Sequence, residues 1–137
     1  MEVDFLKAEH AALMDLRARL LNLLDGPPDP AVVTQLRATM NRILLSHLAK
    51  EDAHLYPYLK RDPETAPVAE RFERELGGLA LSWGALMTDW TPERIATDWR
   101  GFGATARPVL DMLAERARRE EEELYPLLAK KGWSDAA

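Results

Sequence analysis

Apolar residues recur every three or four positions along most of this chain. The pattern is interrupted by short stretches rich in proline, glycine and aspartate. DGPPDP at residues 25–30, RDPETAP at 61–67 and DWTPER at 89–94 carry the composition of turns. The runs between them are rich in Ala, Leu, Arg and Glu, which favour helix. The pattern predicts helices over about residues 3–24, 30–56, 67–90 and 92–125. Thr91 is placed to cap the last of these, with Pro92 at its first position. Long amphipathic helices joined by short loops predict an all-α fold, an antiparallel up-down four-helix bundle, with residues 1–137 as a single domain. GFGATARP at residues 101–108 puts two glycines and a proline inside the fourth helix, which is expected to be kinked or broken there.

The inward-facing positions can be read helix by helix. The third helix offers Leu76, Leu79, Trp83, Leu86 and Trp90, a wholly apolar stripe that reads as packed core. The first offers Leu6, His10, Leu13, Leu16 or Arg17, and Leu20. The second offers Met40, Leu44, His47, Glu51, His54 and Tyr58, and the fourth Val109, Leu113, Arg116, Glu120, Glu123 and Leu127. These last two stripes share one spacing at a constant offset, and both turn from apolar to polar at the same point. The frame around them repeats as well: HLAKEDAHLYPYLKR begins at His47 and RARREEEELYPLLAKK at Arg116. Tyr56 and Tyr125 precede prolines that are expected to end the helices, and both tyrosines are expected to pack locally. Trp99 and Trp133 read as freer than the other two tryptophans, with Trp99 a candidate contact surface.

Composition narrows the chemistry. The chain has 137 residues, 47% hydrophobic and 30% charged, as a globular domain should be. No cysteine is present, so disulfides, thiolate metal sites and cysteine nucleophiles are excluded. A net charge of −5 with no basic stripe gives no sign of nucleic-acid binding. The start lacks an apolar signal region, and no apolar run reaches membrane-spanning length. A cytoplasmic protein that does not bind membranes is the expectation.

Charged groups pointing into a bundle must pair with one another or bind a metal. Histidine and glutamate one turn apart share a helix face, a spacing that lets one ion touch both. Nitrogen with carboxylate oxygen suits iron, zinc or manganese better than calcium. Here His47, Glu51, Arg116 and Glu120 point inward at one end of the bundle, joined by His10 from the first helix. His54 and Glu123, one turn further on, read as an outer pair at the bundle's end.

The sequence resembles the hemerythrin-like, or HHE cation-binding, family. The likeness lies in AEHAAL around His10, HLAKEDAHLYPYL from His47 and RARREEEELYPLL from Arg116, and it spans nearly the whole chain. It implies a four-helix bundle holding two irons between pseudo-symmetric halves. Each half would give one histidine from its first helix and a His-x-x-x-Glu pair from its second, with both carboxylates bridging. Members of the family bind or sense metals, dioxygen or other small diatomics. Here the first half is complete in His10, His47 and Glu51, whereas the second keeps only Glu120. Its histidine positions fall on Leu76, or Glu75 after a one-residue shift, and on Arg116. All three histidines, His10, His47 and His54, lie in the first half, so no second set can be assembled.

Two readings follow. In the first, one iron, zinc or manganese binds at His10, His47, Glu51 and Glu120, and the chain is a metal-binding or sensing module in signalling. In the second, the Arg116 guanidinium replaces the lost cation, and a metal-free bundle acts on an unnamed protein partner or as a homo-oligomer. An enzyme is not expected, because redox chemistry in this kind of bundle leans on two irons.

Overall fold

The computed structural model describes residues 3–133, and every regular element among them is helical. Helix α1 (Val3–Asp25) is followed by α2 (Pro30–Lys50), a π-turn at Glu51–Leu55 and α3 (Tyr56–Lys60). The third rod is α4 (Ala66–Leu76) and α5 (Gly78–Asp89). The fourth is the short α6 (Pro92–Thr97), α7 (Trp99–Arg119), a second π-turn at Glu120–Leu124 and α8 (Tyr125–Lys130). The predicted loops and caps are in place. Asp29 accepts from Val32 N before Pro30, and Thr91 Oγ1 accepts from Arg94 N at 3.1 Å before Pro92.

The fourth rod is a short helix followed by a longer one, but the break falls at Asp98, ahead of the glycines. Asp98 caps α7 by accepting from Gly101 N at 3.0 Å. A Cβ at Gly101 would run into that capping carboxylate, which is why a glycine stands there. Pro108 lies inside α7 without ending it. The third rod is divided where none was expected. Gly77 separates α4 from α5, and a Cβ on it would meet the Glu73 carbonyl of its own chain.

The largest departure concerns the two Leu-Tyr-Pro repeats. Pro57 and Pro126 do not end their helices; the chain runs on helically to Lys60 and Lys130. A proline in an α-helix collides with the carbonyl four residues back. In each copy a π-turn precedes it, with Tyr56 N donating to Glu51 O and Tyr125 N to Glu120 O. The wider π-turn makes room for the ring. It also adds one residue to the turn and rotates everything after it. Leu55, Tyr56 and Leu59 are buried, while His54 is exposed and Tyr58 only half-buried. Likewise Leu124, Tyr125 and Leu128 are buried, Glu123 is exposed and Leu127 half-buried.

Buried apolar side chains form two clusters. One includes Leu13, Leu44, Leu79, Trp83 and Leu113; the other includes Leu6, Leu55, Phe72, Leu76 and Leu128. Trp133, expected to be freer, belongs to the second cluster and packs near Tyr58. Trp99 is half-buried against the first. Along α1, α2 and α7 the chain passes from one cluster to the other through His10, through His47 and Glu51, and through Arg116 and Glu120. The polar residues thus form a layer between two apolar halves.

Replacing Gly77 with alanine should open the α4–α5 joint and lower stability by about 1–3 kcal/mol. Urea unfolding would measure this; an unchanged midpoint would mean the joint relaxes freely.

Candidate metal centre

Four of the predicted residues converge. His10, His47, Glu51 and Glu120 are all buried, and one donor atom from each lies within 4.8 Å of the others. The i, i+4 spacing places His47 beside Glu51, Nε2 to Oε2 at 3.4 Å. His10 Nε2 reaches across to Glu120 Oε1 at 3.1 Å, and its ring lies 4.6 Å from that of His47.

Both histidines are aimed by a carboxylate behind them. His47 Nδ1 pairs with Glu9 Oε1 at 2.9 Å, and Lys50 Nζ donates to the other Glu9 oxygen at 2.8 Å. His10 Nδ1 pairs with Glu121 Oε2 at 3.2 Å. Such partners hold the proton on Nδ1 and turn Nε2 toward the centre. Neither glutamate was singled out in the sequence. Glu9 adjoins His10, and Glu121 sits in the RREEEE run, where Glu123 was expected to point inward instead. Glu123 pairs on the surface with Arg71 and Arg119. His54 likewise faces solvent. The π-turn removes both from the site.

The same rotation brings in the tyrosines, which do not merely pack locally. Tyr125 Oη donates to Glu51 Oε2 at 2.8 Å and lies 3.2 Å from His10 Nε2. Tyr56 Oη donates to Glu120 Oε2 at 3.1 Å. Burial raises the pKa of both phenols, and the neighbouring carboxylates raise it further, so both remain hydrogen-bond donors.

Arg116 completes the layer. Its Nη2 donates to Glu51 Oε1 at 3.1 Å and its Nε to Glu120 Oε2 at 3.2 Å. Its Nη1 makes a long 3.5 Å contact with the carbonyl of Leu76. The third rod therefore contributes a backbone oxygen where a histidine side chain would be looked for. Each carboxylate divides its two oxygens the same way. Glu51 Oε2 and Glu120 Oε1 face the histidines, and Glu51 Oε1 and Glu120 Oε2 face the guanidinium.

The charges follow from these contacts. Burial pushes Glu51 up, and the Glu120 charge beside it adds to the effect. Burial would raise Glu120 too, but His10, His47 and Arg116 hold it below the usual carboxylate range. Burial disfavours charge on Arg116 and on His47. Glu120 and Glu51 outweigh that for both, and they raise His47, with help from Glu9, to about 10. With His47 protonated, two cations, His47 and Arg116, face the Glu51–Glu120 pair.

The donor set fits a transition-metal ion. Metal bonds of about 2.0–2.2 Å put ligand atoms about 3–4.4 Å apart, so a small contraction brings all four into range. His47 Nε2 also lacks a well-formed hydrogen bond, with Glu51 and Glu120 standing 3.4 Å and 3.9 Å away. A buried polar atom without a partner costs about 1–3 kcal/mol, and a metal would satisfy it. Beside the histidines lies a cavity of about 10 Å³ walled by Leu13, Leu44 and Leu113, room for one water-sized molecule.

Two outcomes are expected for the metal-free protein. Arg116→Met leaves the two carboxylates facing each other and should cost about 3–5 kcal/mol in urea unfolding. His47, with its folded pKa raised above the ordinary imidazole value, stabilises the fold fully below about pH 6.5. That contribution falls away as pH rises through about 10. The urea midpoint should drop between about pH 6 and pH 10.5, and His47→Gln should flatten the drop; an equal drop in both would place the titration elsewhere.

Comparison with curated proteins and with solved structures gave no match. A family profile, the hemerythrin HHE cation binding domain, matches residues 1–128 and so takes in every element that builds the site. The chain belongs to the hemerythrin HHE cation-binding domain family.

Proposed function

We propose that this protein binds a single divalent transition-metal ion, iron foremost and zinc or manganese by the same chemistry. The ligands are the Nε2 atoms of His10 and His47 and one carboxylate oxygen each from Glu51 and Glu120. The observation that carries the reading is the convergence of these four buried donors around an unpartnered His47 Nε2. Arg116 takes the complementary side of both carboxylates, so the second cation of the site is part of the chain. When bound, iron would supply Lewis acidity and a redox-active centre. The protein's own part is to aim the histidines through Glu9 and Glu121, to hold the carboxylates through Tyr56, Tyr125 and Arg116, and to keep water out. The cavity beside the histidines has room for one water-sized molecule, so a small diatomic such as dioxygen would have to widen it to become a further ligand. We read the protein as a binding or sensing module rather than an enzyme, because a guanidinium holds the place where a second metal would act.

A metal-free bundle acting through protein contact is the second reading. It is favoured by one observation: Arg116 reaches both carboxylates at 3.1 and 3.2 Å and already supplies the charge they need.

Metal analysis after iron-replete and zinc-replete expression separates the two. About one ion per chain, lost in His47→Ala, supports the metal site. A folded protein with no metal supports the second reading. Arg116→His should not raise the content to two ions, because Leu76 still offers no nitrogen; two ions would overturn the assignment. Glu9→Gln should weaken metal affinity by about 10–100-fold in a competition titration, through loss of histidine orientation. An unchanged affinity would remove Glu9 from the site.

A further inference from the structure

Charge decides which ions this centre can hold. Glu51 and Glu120, both buried, bring two negative charges to it. A ligating histidine is neutral, so His10 and His47 bring none. Arg116 is 7% exposed and brings a permanent positive charge. It binds both carboxylates, with Nη2 3.1 Å from Glu51 Oε1 and Nε 3.2 Å from Glu120 Oε2. The phenols donate to the same carboxylates as neutral groups, Tyr125 to Glu51 at 2.8 Å and Tyr56 to Glu120 at 3.1 Å. Behind the histidines, Glu9 is balanced by Lys50 at 2.8 Å. Glu121, with 39% of its side chain exposed, is screened by water. Two carboxylates less one guanidinium leave the buried layer with a single net negative charge before an ion enters.

We propose that Arg116 makes the site selective for divalent over trivalent ions and so holds iron in the ferrous state, an inference that rests on the single-metal reading above. A divalent ion leaves the layer with one excess positive charge, and a trivalent ion leaves two. The layer lies between apolar clusters, where Coulomb energies are several times those in bulk water, so the second excess charge is costly. Arg116 cannot relieve the repulsion by losing its proton, and its hold on both carboxylates keeps it in place. Hydrogen bonding acts in the same direction. Arg116 and both tyrosines already draw on the negative charge of the two carboxylates, and a trivalent ion depends on that charge more than a divalent one does.

Zinc and gallium ions both have a filled d-shell and differ in charge, so their competition reads charge without redox chemistry. Both are supplied from nitrilotriacetate buffers near neutral pH, with circular dichroism to confirm that each variant is folded. Arg116→Gln removes the charge and keeps an N–H donor. Its ratio of gallium to zinc affinity should exceed that of the wild type by about 10–100-fold. Arg116→Lys keeps the charge and should leave the ratio near that of the wild type. An unaltered ratio in Arg116→Gln overturns the proposal. A second measurement needs no variant: wild-type protein is loaded with ferrous iron, exposed to air and examined by Mössbauer spectroscopy. The bound ion should still be ferrous, and bound ferric iron overturns the proposal. If the wild type binds neither zinc nor ferrous iron, the single-metal reading itself falls, and the proposal with it.

Discussion

Glu51 and Glu120 lie almost completely out of contact with water, side by side in the middle of a small helical bundle. Removing two carboxylates from water costs several kcal/mol each, and their mutual repulsion adds to it. The bundle tolerates them because positive charge and hydrogen-bond donors are brought to them from three rods. Arg116 reaches both, the histidines stand on one side, and a tyrosine hydroxyl closes each end. The rest of the polar layer follows from this requirement. Glu9 and Glu121 orient the histidines, and Lys50 balances Glu9 at the edge. Apolar clusters above and below exclude water and keep the electrostatic contacts strong.

The pseudo-symmetry of the two sequence repeats survives in the backbone and is broken in the chemistry. Each repeat has a π-turn that starts at its buried glutamate, and each has a proline that the π-turn makes possible. Each sends its tyrosine to the other repeat's carboxylate. One side of the carboxylate pair faces two imidazoles, however, and the other faces a guanidinium that also reaches the Leu76 carbonyl. A mobile cation on the first side and a tethered one on the second would give both carboxylates equivalent neighbours. That division explains why one histidine-bearing half can be complete while the other has none.

Much of this was legible in the sequence. The loops at residues 25–30, 61–67 and 89–94, the apolar stripe from Leu76 to Trp90 and the inward positions of His10, His47, Glu51, Arg116 and Glu120 all follow from local periodicity and turn chemistry. Beyond Glu51 and Glu120 the same periodicity misled. A regular 3.6-residue repeat turns His54, Tyr58, Glu123 and Leu127 inward, whereas a π-turn of one extra residue puts Leu55, Tyr56, Leu124 and Tyr125 there. The signal for it was present in the proline that follows each tyrosine, since a helix that continues past a proline must first widen or bend.

By itself, then, the sequence determined the four helical rods, the loops between them and the set of donors able to meet. These depend on neighbours one or two turns apart, and the chain carries that information in its spacing. Tertiary structure alone decided which glutamates aim the histidines, which oxygens of Glu51 and Glu120 Arg116 takes, and that Leu76 contributes its carbonyl. Those contacts join residues dozens of positions apart. They depend on the rotation and offset of whole helices against one another, which no local pattern of apolar and polar residues specifies.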